Sequence, residues 1–146
     1  MAKFEDMVDH VAEHCAGLRV RLLNRVVSGL YDNHLRPLGL RGSQFNILVA
    51  SAKMKLARPA IMAEVLCIDP TTLSRNLERM RARGWLEQVP DPEDGRAQPF
   101  RLTDSGREIL RRAIPLWERA QAETEALLGE AALAAIRRGS EAARAG

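Results

Sequence analysis

The stretch DPTTLSRNLERMRARG, residues 69–84, combines a helical apolar pattern with a polar front end. At about 100° per residue, Leu73, Leu77 and Met80 fall on one side of a helix, which predicts its buried face. Asp69 is a good N-cap, and the proline that follows it suits the first helical position. The threonines and arginines point away from the buried side together. We therefore expect a helix whose front end contacts something outside its own domain.

The side chains on that exposed front end are of the kinds that bind DNA. The N-terminus of a helix attracts phosphate, and hydroxyl groups bind phosphate oxygens or base edges. Arg75 could reach the O6 and N7 atoms of a guanine. An alternative interpretation is a solvated face with ordinary salt pairs, because Glu78 would repel DNA unless an arginine neutralises it. The expected DNA-binding residues of this helix are Thr71, Thr72, Ser74, Arg75 and Arg79.

The neighbouring segments predict a helix-turn-helix followed by a hairpin. PAIMAEVL (59–66) has proline at its start and is separated by a turn at Cys67 from the next helix. WLEQV (85–89) and QPFRL (98–102) are short alternating runs, and DPEDGRA between them has the composition of a hairpin turn. This order of elements is typical of a winged helix-turn-helix.

Residues outside the central helix are also predicted to contact DNA or to shape the hairpin tip. Arg96, at the hairpin tip, would enter a narrow minor groove, where negative potential attracts arginine. Asp94 would fix the shape of the tip by accepting hydrogen bonds from the loop backbone or from Arg96. The net charge is +3, and the basic excess lies in 41–68. We expect Arg58, in that segment, to contact phosphate on any DNA sequence.

Amphipathic segments flank this central part. Apolar residues recur every three or four positions over 4–30, which predicts one long helix. A second apolar stripe joins it after Leu18, so this helix needs cover from two sides, which a partner chain could provide. Ser43 is the expected N-cap of the next helix.

The C-terminal flank is also predicted to be helical. Thr103 should cap a long helix that Pro115 kinks and that ends at Leu128, before an Ala-rich helix over 130–144. Trp117 lies on its apolar stripe and is interpreted as part of a dimer core.

The whole chain is predicted to be mainly α with a small β-hairpin wing. The winged helix-turn-helix, 41–102, would bind DNA, and 1–40 with 103–146 would form a helical dimerisation region. No charged-then-apolar leader opens the chain, and no run reaches the roughly 18 apolar residues of a membrane span. We expect a cytoplasmic protein with no membrane partner.

The residues also argue against catalysis and bound cofactors. No nucleophile-and-base set, Gly-rich phosphate loop or cluster of metal ligands is visible, so neither an enzyme nor a cofactor or metal site is expected. His10 and His14 are one helical turn apart but lack further ligands. Cys15 continues an apolar stripe, and we interpret it as a packing residue, with a redox-sensing role as the alternative.

The pieces LRGSQFNIL, IDPTTLSRNLERMRARGWLE, DPEDGRA and RLTDSGRE together resemble the MarR family of bacterial transcriptional regulators. They cover roughly 36–110, and the flanking helices fit the family pattern to about 138. Each piece alone is weak, but the combination is specific. The chain departs from the pattern at Gly95, where a second arginine is frequent, and at Cys67, where glycine is common.

The resemblance implies a homodimer that reads a pseudo-palindrome in successive major grooves of double-stranded DNA, most often as a ligand-responsive repressor. By position, Thr71, Thr72 and Arg75 would contact bases or nearby phosphates, Arg96 the minor groove and Ser43 a phosphate. Family members commonly bind small phenolic or lipophilic effectors. Residues that could line such a crevice are Tyr31, Phe45 and Trp85.

A second class of function stays open. The segment 69–101 has almost no net charge, which would suit a helical dimer that acts as a protein-interaction or adaptor module and keeps the winged motif as a scaffold. A salt series on random duplex DNA separates the two, because only a DNA-binding protein shows affinity with a salt slope.

Overall fold

The computed structural model describes residues 1–96 and 98–146. It confirms a mainly α fold with one antiparallel hairpin. The helices are α1 (Phe4–His14), α2 (Ala16–Leu35), α3 (Gly42–Met54), α4 (Pro59–Leu66), α5 (Pro70–Ala82), α6 (Asp104–Leu128) and α7 (Glu130–Ala145). The strands are β1 (Leu86–Gln88) and β2 (Phe100–Leu102), paired with Leu86 opposite Leu102.

The helix α5 has the predicted buried face and caps. Leu73, Leu77 and Met80 are buried, and each such side chain contributes about 1.5–3 kcal/mol through burial. The Asp69 carboxylate accepts hydrogen bonds from the two amides that follow Pro70 in the chain. Gly84, with a φ of 75°, ends the last turn in the left-handed region that glycine favours.

One hydrophobic core joins α3, α4, α5, the hairpin and the first half of α6. The hairpin is fastened to this core by a pair of backbone hydrogen bonds, from the Ala57 amide to the Phe100 carbonyl (2.8 Å) and in the reverse direction (2.9 Å). The large side chains that are fully buried in the core include Leu35, Ile47, Leu48, Met62, Leu73, Leu77, Met80 and Leu86. The helix α5 and the hairpin are thus positioned by the same core.

The prediction of one continuous helix over 4–30 was wrong. Cys15 leaves the helical conformation, with a ψ of 105°, and separates α1 from α2. The break exposes carbonyl groups at the end of α1, and the Arg19 guanidinium donates a hydrogen bond to one of them, the Glu13 carbonyl. The apolar spacing continues across the break, so the pattern could not detect it.

The start of α3 also differs from the prediction, because Arg41 and not Ser43 is its N-cap. The Gln44 side chain accepts a hydrogen bond from the Arg41 amide at 3.2 Å, and Asp32 of α2 accepts one from the Gly42 amide at 2.8 Å. A carboxylate from another helix therefore satisfies the first amide of α3.

The C-terminal half follows the prediction closely. The Thr103 hydroxyl accepts a hydrogen bond from the Gly106 amide at 3.0 Å, and α6 continues through Pro115 to Leu128. Across the described ranges, no helix combines the length and the apolar character that crossing a bilayer requires.

Gly106 generates a stability prediction, because a Cβ atom on it would lie 2.1 Å from the Trp85 carbonyl oxygen. We expect Gly106→Ala to lower the free energy of unfolding by about 1 to 3 kcal/mol, the usual cost of overpacking. Gly139, in α7, has no atom within 4 Å of the equivalent position, so Gly139→Ala is the control and should not destabilise. Urea unfolding followed by circular dichroism measures both, and equal stabilities would contradict the close approach.

Candidate nucleic-acid interface

The front of α5 presents the polar surface that the sequence predicted. All of its expected contact residues are exposed: Thr71, Thr72, Ser74, Arg75 and Arg79. The neighbouring Glu78 carboxylate is paired with Arg81 at 3.0 Å, which neutralises the charge that would otherwise repel DNA. The surface can therefore approach a polyanion.

The amide groups at the start of α5 are already in use. Pro70 has no N–H group, and the Asp69 carboxylate accepts from Thr71 (3.0 Å) and Thr72 (3.2 Å). The Leu73 amide donates to the Asp69 carbonyl at 2.9 Å. The expected phosphate contact through this helix N-terminus is therefore wrong. Any contact by α5 has to come from its side chains.

The hairpin is held in place by an ion pair that the sequence did not reveal. Asp91, which is buried, accepts hydrogen bonds from the Arg58 Nε atom at 2.7 Å and from its Nη2 atom at 3.1 Å. It also accepts one from the Glu93 amide at 2.9 Å. The Arg58 guanidinium, helped by the Glu93 amide, lowers the pKa of Asp91 to about 2.

This geometry gives Arg58 partners within the protein. Its guanidinium is paired with Asp91 and, at 3.4 Å, with Glu93, and its phosphate contact stays a prediction. Arg58 connects the start of α4 to the hairpin 33 positions further along. Because the pairing is long-range, no local pattern marks Asp91 as the partner.

The tip of the hairpin has the hydrogen bond that was predicted for it. The Asp94 carboxylate accepts from the Arg96 amide at 3.0 Å, which shapes the turn. Both residues are exposed, and the minor-groove contact of Arg96 stays a prediction. Ser43 is exposed in the first turn of α3, and its phosphate contact also stays a prediction.

A concave pocket beside this interface was missed by the sequence reasoning. It lies between the start of α3 and the end of α5, and we name it the arginine pocket. Its basic residues are Arg36, Arg41, Arg79 and Arg83. Only Arg79 was predicted as a contact, because the other three belong to different elements or to the end of the helix.

Two of the three residues predicted for the effector crevice line the same cavity, and the effector itself stays a prediction. Tyr31 and Phe45 line one cavity of about 560 Å³ between α2, α3 and α6. Trp85 does not reach it, since Trp85 is buried at the start of the hairpin under the guanidinium of Arg83. Trp117 lines the cavity instead, with its ring centroid 6.4 Å from that of Phe45.

The remaining candidates form no assembled site. The His10 and His14 rings stack at 4.5 Å on exposed α1. Within residues 1–96 and 98–146, no three His, Cys, Asp or Glu side chains converge as metal ligands. Cys15 is half-buried and Cys67 is exposed. The redox role of Cys15 is untested by these contacts.

Comparison with known proteins gives concordant matches. Residues 38–97 match the model of the MarR family. The multiple antibiotic resistance protein MarR of Salmonella typhimurium is 31% identical over 93 residues, 64% of this chain and 65% of that protein. The matched region thus spans slightly less than two thirds of the length of that Salmonella protein.

Two solved structures are similar over most of their length. The transcriptional regulator MosR of Mycobacterium tuberculosis, crystallised in complex with DNA, is 33% identical, with a TM-score of 0.72 over 90% of this chain and 99% of that one. Apo MarR from Escherichia coli is 25% identical, with a TM-score of 0.73 over 88% and 96%.

The Asp91 ion pair makes stability depend on pH in the acid range. Because the folded-state pKa lies below the usual 3.8, the stabilisation is complete above about pH 4 and is lost as pH falls towards 2. We expect Asp91→Asn to lower the urea midpoint at pH 6, with the difference from the unsubstituted protein shrinking between pH 4 and pH 2. Tryptophan fluorescence reports the transition.

The control is Glu87→Gln, which removes another ion pair of the same hairpin. Glu87 and Arg101 are joined at 2.7 Å, but both side chains are about half exposed, so solvent screens the pair. We expect little change at either pH. A midpoint difference for Asp91→Asn that is the same at pH 6 and pH 2 would contradict the assignment.

Proposed function

Because the chain belongs to the MarR family, we propose that it is a DNA-binding transcriptional regulator that acts as a repressor on a pseudo-palindromic operator. The observation that supports this most directly is the exposed polar face of α5 beside an anchored hairpin. MosR, which is similar over 99% of its length, was crystallised with DNA. We propose that the protein has no catalytic activity.

We assign direct base reading to the side chains of α5. Thr71, Thr72 and Arg75 would enter the major groove, where a guanidinium can bind guanine O6 and N7 together. The hydroxyl of Ser43 would hold a phosphate, and Arg96 would lie in the adjacent minor groove. Since the first amides of α5 are occupied, contacts by this helix, including those predicted for Ser74 and Arg79, depend on side chains.

We further propose that the protein is a homodimer formed by 1–40 and 103–146. The helix α1 has no buried residue, and even its apolar side chains are exposed, Phe4 by 74% and Val11 by 62%. Apolar surface of this kind usually marks an interface. Other exposed apolar side chains of these helices are Met7, Val8, Leu18, Val20, Leu22, Val26, Leu127 and Ile136. A dimer would present two copies of α5 about one duplex turn, roughly 34 Å, apart.

The cavity lined by Tyr31, Phe45 and Trp117 is the proposed effector crevice. Aromatic walls suit a small phenolic or lipophilic molecule, and the Tyr31 hydroxyl, which donates to Gln121 at 2.5 Å, offers a polar group near them. The cavity also touches Leu66 and Ile68, on either side of the turn before α5. An effector there would contact both the helical region and the DNA-binding part.

Arg75 provides the main test of this function. A good arginine–guanine pair discriminates by about 1 to 3 kcal/mol, so Arg75→Ala should reduce the preference for the selected sequence over single-base variants by about 10- to 100-fold. The measurement is competition binding with duplexes selected from a random pool by the unsubstituted protein.

Arg81→Ala is the matched control, since Arg81 lies on the same helix but is paired with Glu78. It should keep the base preference. Unchanged affinity and unchanged preference in Arg75→Ala would contradict the role of α5. A protein that binds no duplex DNA, or binds without a salt slope, would favour the adaptor function instead.

The dimer is tested on α1. Met7 and Val11 are one helical turn apart and exposed, so Met7→Glu/Val11→Glu would place two charges in the proposed interface. We expect the dimer dissociation constant to rise at least about tenfold, because each apolar side chain lost from an interface costs more than about 1.4 kcal/mol. Sedimentation velocity over a dilution series measures it.

Val49→Glu serves as the control for the dimer test, because Val49 is an exposed apolar residue of α3, outside the proposed interface. It should dissociate at the same concentration as the unsubstituted protein. An identical dissociation constant for the α1 double variant would exclude α1 from the interface.

A further inference from the structure

The arginine pocket is a basic concavity of about 560 Å³ beside the recognition helix. Its four arginines are exposed, and the one acidic residue in its lining is Asp32. In the part of the chain that the structure describes, none of the four forms an ion pair with a carboxylate. Arginines that do pair with carboxylates, such as Arg81 and Arg107, lie outside the pocket.

The acidic residue of the pocket does not neutralise it. An Asp32 oxygen accepts a hydrogen bond from the Gly42 amide at 2.8 Å, at the start of α3. The carboxylate is thus used to satisfy a helix terminus. Four guanidinium groups against one carboxylate leave the pocket with a formal charge of +3, equal to the net charge of the whole chain.

Two of the arginines in the pocket donate hydrogen bonds to neutral groups. Arg83 donates from Nη1 to the Gly39 carbonyl at 2.7 Å, and its guanidinium lies 4.8 Å from the centroid of the Trp85 ring. Arg36 donates to the Asn33 side chain at 2.6 Å. Gly39 has a φ of 66°, and a Cβ atom there would lie 3.2 Å from Arg83 Nη1. Two of the four cations are therefore positioned in advance.

Such an arrangement is suited to phosphate. Like charges gathered in a concavity repel one another, and a polyanion relieves this repulsion. The planar guanidinium fork pairs two donors with two phosphate oxygens, and neutral hydrogen-bond partners leave the full positive charge in place.

The position of the pocket relates it to the proposed DNA contact. Arg75, Arg79 and Arg83 are spaced by four residues and form a row along α5 that ends in the pocket. At 1.5 Å per residue, Arg75 and Arg83 are separated by about 12 Å along the helix axis. This distance is larger than half the width of the major groove, which is roughly 12 Å wide. With Arg75 at the bases, Arg83 would lie beside the phosphates at the groove edge.

We propose that the arginine pocket is a phosphate-binding site that takes backbone phosphates of duplex DNA at the edge of the groove occupied by α5. This source of phosphate rests on the proposed function. The same chemistry would also bind a free polyphosphate, and the experiment distinguishes the two sources.

The first arm compares the unsubstituted protein with Arg36→Gln/Arg41→Gln, which removes two charges and leaves Arg83 in place. Binding to the selected duplex and to a random duplex is measured between 50 and 200 mM salt, roughly the range where counterion release dominates. We expect the slope of log K against log salt to become less negative by about 1 to 2, roughly 0.9 for each lost phosphate contact. Affinity for both duplexes should fall by the same factor.

The matched control is Arg107→Gln/Arg111→Gln, which removes the same charge from α6. Both arginines are paired with neighbouring carboxylates, Asp104 and Glu108. The salt slope should stay unchanged in this variant. Circular dichroism and the thermal midpoint without ligand verify that both double variants are folded.

The second arm measures thermal unfolding with inorganic tripolyphosphate. A rise in Tm for the unsubstituted protein that is absent in Arg36→Gln/Arg41→Gln supports phosphate binding, whatever the protein does with DNA. A changed DNA salt slope assigns the site to the backbone, and a tripolyphosphate effect alone assigns it to a free polyphosphate. If neither changes, the proposal is overturned, even when Arg75→Ala supports the DNA-binding function.

Discussion

The ion pair between Arg58 and Asp91 is the constraint on which the proposed interface depends. It joins the residue before α4 to the hairpin, and the backbone bonds between Ala57 and Phe100 hold the adjacent residues. The strands of the hairpin are also held on the core by the buried side chains of Leu86, Phe100 and Leu102. Because both groups are charged and Asp91 is buried, removing one partner leaves the other uncompensated. The separation between the Arg96 tip and the front of α5 follows from this connection.

At both helix starts near the interface, an aspartate carboxylate accepts hydrogen bonds from the first backbone amides. Asp69 occupies the first amides of α5, and Asp32 occupies the first amide of α3. A carboxylate in each place stabilises the helix but offsets the positive potential of its N-terminus. Attraction for a polyanion is therefore left to arginine and hydroxyl side chains. These side chains can be varied without altering the helix starts, so the chemistry of the exposed surface and the folding of α3 and α5 are largely separable.

Local patterns in the sequence predicted most elements, because their causes are local. The spacing of Leu73, Leu77 and Met80, the Asp69 cap and the Thr103 cap are each decided by neighbouring residues, and all were confirmed. Two failures were local, the helix break at Cys15 and the N-cap of α3, and the others involve residues far apart in the chain. Asp91 pairs with Arg58. The aromatic residue that joins Tyr31 and Phe45 at the cavity is Trp117 of α6, not Trp85. The arginine pocket was missed for the same reason, since its members come from three elements.

Contacts from α7 and from the aromatic cavity meet at the end of α4, next to the start of α5. Arg144 of α7 donates to the Val65 carbonyl at 2.8 Å, and the aromatic cavity touches Leu66 and Ile68. Between these two residues Cys67 holds a left-handed conformation, with a φ of 51°, which is costly for a residue other than glycine and persists only when its surroundings impose it. Asp69, the cap of α5, follows directly. The contacts from α7 and from the aromatic cavity therefore converge on the turn that leads directly into α5.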